Sequence, residues 1–243
     1  MKVDFIKTSE GVKADFISVQ PQLYSLYDVS TLQAIYGINN SSNGGNDVYT
    51  FNYNNFARQI IWDTGGNDTF DLSANLGDTV LDLNSGSMNS IDEYSFDEVV
   101  QEYQAEVNDT YFNSWIETTL NDLYESDKLY TGHNNIAIAQ GVIIENATTG
   151  SGDDKVTDNK VDNIINTSAG NDNIYVGNGG YDMVNGGEGI DRLHIDLLLS
   201  SVTVKEYDGD YLLYSDDYAV KFENIEFVIF QDDSSYTPDA LIA

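Results

Sequence analysis

Between Thr149 and Leu193 an acidic residue or its amide returns at nearly fixed intervals. The positions are Asp154, Asn163, Asp172, Asp182 and Asp191, in steps of nine, nine, ten and nine residues. Two places after each stands an aliphatic residue: Val156, Ile165, Ile174, Val184 and Leu193. The clearest copy, Gly186-Gly187-Glu188-Gly189-Ile190-Asp191-Arg192-Leu193, reads G-G-x-G-x-D-x-U, with U aliphatic. A six-residue glycine-rich loop can turn sharply and aim its carbonyls inward, because glycine accepts positive φ. The Asp adds a charged hard oxygen, and calcium takes six to eight such oxygens. The next three residues make a short strand whose middle side chain faces a core. Each copy is therefore half a turn of a coil, and a cation sits between loops stacked on the same edge. This pairs Asp154 with Asp172 and Asp172 with Asp191 on one edge, and Asn163 with Asp182 on the other. The loop glycines expected beside them are Gly150, Gly152, Gly170, Gly177, Gly180, Gly186, Gly187 and Gly189. The loop Asp158–Asn163 has no glycine, carries Lys160 and ends in an amide, so its site is expected to be weak or empty.

The formal charge of −31 over 243 residues repels nucleic acid and anionic membranes, attracts divalent cations, and burdens the compact state with self-repulsion. A 41% hydrophobic content with 17 Tyr and 10 Phe argues for a packed core rather than disorder. The lack of cysteine excludes disulfides, thiolate zinc sites and a cysteine nucleophile. No stretch is apolar enough for a membrane-spanning helix, and the first residues lack the apolar region of a signal peptide.

Four regions are expected. Residues 1–40 form an N-terminal segment whose short helix is capped by Asp28, uses Val29, Leu32, Ile35 and Tyr36 as its apolar side, and ends at Gly37. Residues 41–148 form a β-sandwich-like region. Within it Gly44–Phe51 is echoed by Gly65–Leu72, and strands are expected at 59–62, 79–83, 136–139 and 142–144. A helical insertion interrupts it at about 91–130, opened by the capping box Ser95-Phe96-Asp97-Glu98. Residues 149–197 form the calcium-binding roll. Residues 198–243 form an antiparallel β cap, with a hairpin at Asp208-Gly209, because an open coil end would be an exposed edge.

The order of these pieces resembles the C-terminal module of the serralysin family, secreted zinc proteases of the RTX class. The resemblance is carried by the helix Leu26–Gly37, by Ile61-Trp62-Asp63-Thr64-Gly65-Gly66-Asn67-Asp68-Thr69-Phe70-Asp71, and by the strand pair Asn135–Ala147, and covers about residues 21–90 and 133–193. It implies a mainly β fold with a right-handed parallel β-roll, several Ca2+ ions, and further ligands. Asn43, Gly45 and Asp47 with Asp63, Gly65 and Asp68 would form one site. Gly66 and Asp68 with the Ile143 carbonyl and Glu145 would form another. The tail Asp239–Ala243 resembles an uncleaved type I secretion signal, which implies a secreted, extracellular or surface-associated protein. The family's H-E-x-x-H zinc motif has no counterpart at His133 or His194, so no catalysis is expected here. The expected role is a non-catalytic module whose folding is driven by extracellular calcium, in the service of a serralysin-like secreted protein. The alternative is a stand-alone structural or adhesive component of a bacterial surface, matrix or virus particle. Its acidic, aromatic helical insertion would be the surface for a protein partner or for self-assembly.

Overall fold

The computed structural model describes residues 1–19, 25–39, 41–51 and 58–242. Residues 20–24, Asn40 and Ala243, which fall within segments discussed above, lie outside the described residues. The chain opens with strands β1 (Lys2–Thr8) and β2 (Gly11–Ile17), then helix α1 (Leu26–Tyr36) and strands β3 (Val48–Tyr49), β4 (Gln59–Ile61), β5 (Thr69–Asp71), β6 (Asp78–Asp82) and β7 (Met88–Glu93). Helices α2 (Phe96–Val107) and α3 (Asn113–Glu125) follow, joined through a 3-10 turn at Thr110–Phe112. Next come β8 (Ile136–Ile138), β9 (Asn146–Thr148), β10 (Lys155–Thr157), β11 (Ile164–Asn166), β12 (Ala169–Gly170), β13 (Asn173–Val176), β14 (Tyr181–Asn185), β15 (Glu188–Gly189) and β16 (Arg192–Ile195). The chain ends with β17 (Thr203–Tyr207), β18 (Asp210–Tyr214), β19 (Ala219–Glu223), β20 (Phe227–Phe230), β21 (Ser235–Tyr236) and helix α4 (Pro238–Leu241).

Among the described residues, successive coil strands alternate between two large sheets. One has the order β21-β20-β16-β13-β10-β6-β7-β8-β4, the other β17-β18-β19-β14-β11-β9-β5-β3. The stretches β6-β10-β13-β16-β20 and β3-β5-β9-β11-β14-β19 are parallel throughout. The five aliphatic side chains of the repeat, Val156, Ile165, Ile174, Val184 and Leu193, are all buried between these sheets. Phe70, Leu81, Ala147, Phe222 and Val228 join them in the same core. Strand residues on either side of each inward position point outward, as the two-residue period requires.

The coil is longer than the repeat. Residues 69–82 already form a turn of it, so the β-sandwich-like region and the roll share the same two sheets. The coil also resumes after the hairpin β17–β18: β19 pairs parallel with β14, and β20 with β16. Only β17, β18 and β21 are antiparallel at that end.

Three local expectations are corrected. Ser25, not Asp28, caps α1, and Asp28 is the reciprocal acidic partner of that capping box. Of the helix's proposed apolar side only Val29 is buried. Residues 142–144 are not a strand; they belong to a loop that buries Val142 and Ile144. The Ser95–Glu98 capping box is formed at α2.

Residues 1–17, which carry no motif, fold as a hairpin over the helical pair. Val3 and Phe5 bury themselves against Val99, Tyr103, Val107, Ile116, Leu120 and Leu123 in a second core. Phe5 meets Tyr103 and Trp115 edge-on at 5.4 Å between centroids. The apolar face of the insertion is therefore covered from within the chain. Tyr111 and Tyr124 remain on its outside.

Candidate metal centres

The strand register aligns the repeat acids into two ladders. On one edge Thr79, Asp154, Asp172, Asp191 and Glu226 precede equivalent positions of β6, β10, β13, β16 and β20. Each carboxylate accepts the backbone N–H of its counterpart one turn earlier. Asp154 Oδ1 accepts from Thr79 at 2.7 Å, Asp172 Oδ1 from Asp154 at 2.8 Å, Asp191 Oδ1 from Asp172 at 2.9 Å, and Glu226 Oε2 from Asp191 at 2.6 Å. On the other edge the ladder runs Asp47, Asp68, Glu145, Asn163, Asp182. Asp68 Oδ1 accepts the Asp47 N–H at 2.8 Å, Glu145 Oε2 the Asp68 N–H at 2.7 Å, and Asp182 Oδ1 the Asn163 N–H at 3.0 Å.

These bonds use one oxygen of each Asp. The second, Oδ2, has no hydrogen-bond partner at Asp68, Asp154, Asp172, Asp182 and Asp191, and all five are buried. Buried acceptors left without partners are costly, and their regular recurrence gives a row of positions that could hold a cation. Burial pushes the carboxyls up, to about 7 for Asp154 and Asp182 and about 6 for Asp68 and Asp172. Asp191 is raised for the same reason, with Glu226 adding repulsion. Carboxylates and carbonyls are hard oxygen donors of the kind calcium selects, so the donor set fits that ion.

The loops around these oxygens stack closely enough to require glycine. A Cβ on Gly189 would lie 1.6 Å from the Gly170 carbonyl oxygen, and one on Gly170 would lie 2.1 Å from that of Gly152. Both residues sit at positive φ, 144° and 135°. Gly150, Gly152, Gly180, Gly186 and Gly187 likewise leave no room for a Cβ against a backbone carbonyl of a neighbouring turn, whereas Gly177 has ordinary clearance.

The N-terminal part of the second edge brings Asp47, Asp63 and Asp68 together, with one carboxylate oxygen from each within 4.8 Å of the others. The Gly45 carbonyl packs against Gly66. Asp63 is held by the Gly65 N–H on Oδ1 and by the Tyr49 hydroxyl on Oδ2, at 2.8 and 2.6 Å. Asn43, at φ 49°, accepts the Thr64 N–H on its carbonyl and donates its side-chain amide to the Trp62 carbonyl. Glu145 reaches Asp68 as described, while the Ile143 side chain points to solvent.

Loop 158–163 is built differently. Asn159 donates to the carbonyls of Leu83 and Ile144. Asn163 accepts from the Asn159 N–H and donates to Asn159 Oδ1 and the Glu145 carbonyl. Asp158 takes the N–H groups of Gly177 and Asn178 and the Asn178 amide. Side-chain amides thus supply much of the bonding within this loop and to its neighbours. The histidines lie elsewhere: His133 contacts Ser90 and Glu93, and His194 stacks on Tyr175 at 4.2 Å.

Sequence reasoning missed the end rungs, Thr79 and Glu226. Each is followed two places later by a buried aliphatic residue, Leu81 and Val228. That was the available signal, together with Gly77 two places before Thr79, but neither stands at the nine-residue interval.

Residues 26–95 match the family described as peptidase M10 serralysin C terminal. A serralysin of Proteus mirabilis is 30% identical over 152 residues, covering 58% of this chain and 23% of its own length. A serralysin of Photorhabdus laumondii is 32% identical over 163 residues, 62% of this chain and 26% of its own. Metalloprotease AprA of Pseudomonas entomophila is 31% identical over 167 residues, 62% of this chain and 27% of its own. The chain thus spans about a quarter of the length of the curated relatives it matches. No helix among the described residues is long and apolar enough to cross a membrane. The match over residues 26–95, the wider similarity to serralysins and the mainly β coil together support a serralysin C-terminal-like module.

Proposed function

We propose that the chain is a non-catalytic calcium-binding RTX module, a right-handed β-roll whose folding is driven by calcium outside the cell and which serves the secretion, folding and stability of a serralysin-like secreted protein. The observation that carries this reading is the set of five buried Asp Oδ2 atoms without partners, at equivalent rungs of two ladders. Without a cation these carboxylates oppose one another within a chain of formal charge −31. Calcium, when bound, supplies the charge that lets them remain ionised in the folded state. Asp154, Asp172 and Asp191 with the carbonyls of loops 149–154, 167–172 and 186–191 would hold it on the first edge. Asp47, Asp63, Asp68, Glu145 and Asp182 would do so on the second. Extracellular sites of this kind have Kd of about 10⁻⁴–10⁻³ M, so they stay empty where free calcium is low and fill outside. Binding to the folded form alone stabilises it by mass action.

Calcium titration followed by ion counting tests the binding half of this proposal: several ions per chain are expected, and none would refute it. The intact mass of the polypeptide in its source tests the other half. A mass well above 26.9 kDa agrees with a module of a larger secreted protein, and a mass equal to it favours a stand-alone structural role.

A further inference from the structure

Glu226 stands on the rung that follows Asp191, although 35 residues separate them in sequence. The parallel register Arg192 with Phe227 places it there. Its Oε2 accepts the Asp191 N–H, just as Asp191 accepts that of Asp172. Val228, two places on, is fully buried in the position that Leu193 takes one turn earlier. The hairpin β17–β18 is thus an insertion within the coil, and Glu226 is its last acidic rung on this edge.

Two more oxygens converge beside it. A Cβ on Gly186 would lie 2.1 Å from the Asn224 carbonyl oxygen and 2.7 Å from Asp191 Oδ2. Both oxygens therefore flank the same small space, which glycine leaves open. Asp191 Oδ2 is buried and has no hydrogen-bond partner. Asn224 holds φ at 51°, a conformation few non-glycine residues adopt, with its carbonyl oxygen against Gly186. The Gly186 N–H is engaged with the Glu223 carbonyl, so it does not satisfy these oxygens. Among the described residues no ion pair involves Asp191 or Glu226.

We infer that Asp191 Oδ2, the Asn224 carbonyl and the Glu226 carboxylate form a further calcium site that closes the first edge of the coil, between loop 186–191 and the turn 224–226. Hard oxygens bearing this charge suit calcium and not a softer metal, with loop carbonyls and water completing its six to eight ligands. The site rests on the calcium reading above and extends it past the recognisable repeats, across the inserted hairpin. Binding there would tie β20 to β16 and so hold the end of the coil closed.

The test is Glu226→Gln in the full chain. The amide keeps an oxygen to accept the Asp191 N–H and removes only the charge. Glu223→Gln, an exposed neighbour, makes the same charge change outside the site. Calcium bound per chain is counted by equilibrium dialysis and atomic emission at a free calcium level that fills the unsubstituted chain. Glu226→Gln is expected to bind one ion fewer, through at least tenfold weakening of one site, and to show a smaller calcium-induced rise in Tm. Its Tm in chelator should not fall, and Glu223→Gln should bind the full number. Full binding by Glu226→Gln overturns this site alone. An unsubstituted chain that binds no calcium removes the parent reading, and this site with it.

Discussion

Asp154→Asn should stabilise the chain without calcium and reduce the stability that calcium adds. Asp154 is buried, its Oδ1 accepts the Thr79 N–H, and its Oδ2 is unpartnered. Burial raises its carboxyl from 3.8 to about 7. At about 1.4 kcal/mol per pKa unit, keeping it ionised at pH 8 costs the metal-free fold up to about 4 kcal/mol. Asparagine removes that charge and keeps the Oδ1 acceptor. It leaves one buried amide N–H2 in place of Oδ2, at a cost of about 1–3 kcal/mol. The net gain in chelator is about 1–3 kcal/mol, which for a chain of this size is a Tm rise of about 2–12 °C. In calcium the variant loses a ligand. A site held at 10–100 times its Kd contributes about 1.4–2.7 kcal/mol, so the calcium-induced rise in Tm should shrink by about 3–10 °C. Thermal melts by circular dichroism at pH 8, with EDTA and with 10-fold and 100-fold excess calcium over the apparent Kd, measure both arms. A variant that melts lower in EDTA, or that keeps the full calcium shift, would refute the reasoning.

Gly189→Ala should destabilise the calcium-bound fold by about 3–5 kcal/mol, since it combines positive-φ strain with a Cβ 1.6 Å from the Gly170 oxygen; denaturant unfolding that moves by less than 1 kcal/mol would contradict the stacked-loop geometry. The pH response of the metal-free chain follows from the raised carboxyls. Asp154 and Asp182 lie near 7 and Asp68 and Asp172 near 6, against about 3.9 unfolded. The folded state therefore binds more protons, and stability falls as pH rises from about 4 to 7; Tm in EDTA should be higher at pH 5 than at pH 7.5, and saturating calcium should remove or reverse that trend. Phe70→Ala, at a fully buried ring packed near Tyr49 and Phe51, should cost about 3–5 kcal/mol in calcium, measured by urea unfolding. Val3→Asp should expose the helical insertion by breaking the second core, seen as faster hydrogen exchange in α2 and α3 with the roll unaffected.

The repeat was legible because its period is a direct consequence of the coil. A loop of six and a strand of three place Asp154, Asp172 and Asp191 on one rung line, and burial of Val156, Ile174 and Leu193 follows from the same count. Helix α2 was legible from a local signal, the Ser95–Glu98 box. The continuation of the coil was not, because the segments 88–145 and 197–218 interrupt the count before Glu145 and Glu226 return to the ladders. Those rungs are fixed by pairing across the sheet; Glu145 was reached only through the family resemblance, and Glu226 is marked only by Val228 two places on. The N-terminal hairpin was hidden for a related reason. Val3 and Phe5 alternate as a strand should, but their partners are Tyr103, Ile116 and Leu120, a hundred residues away. Helix α1 shows the opposite failure: an apolar pattern at Leu32, Ile35 and Tyr36 that the described residues leave exposed.

Hydrogen exchange of the full chain, with excess calcium and with EDTA at pH 8, tests the central claim most directly. If cations complete the two ladders, the amides of Asp154, Asn163, Asp172 and Asp191, each bonded to a ladder carboxylate or side chain, should be strongly protected in calcium and lose that protection in EDTA. The β signal in circular dichroism should fall in parallel and return when calcium is restored. Equal protection of residues 146–195 in both conditions would contradict the account.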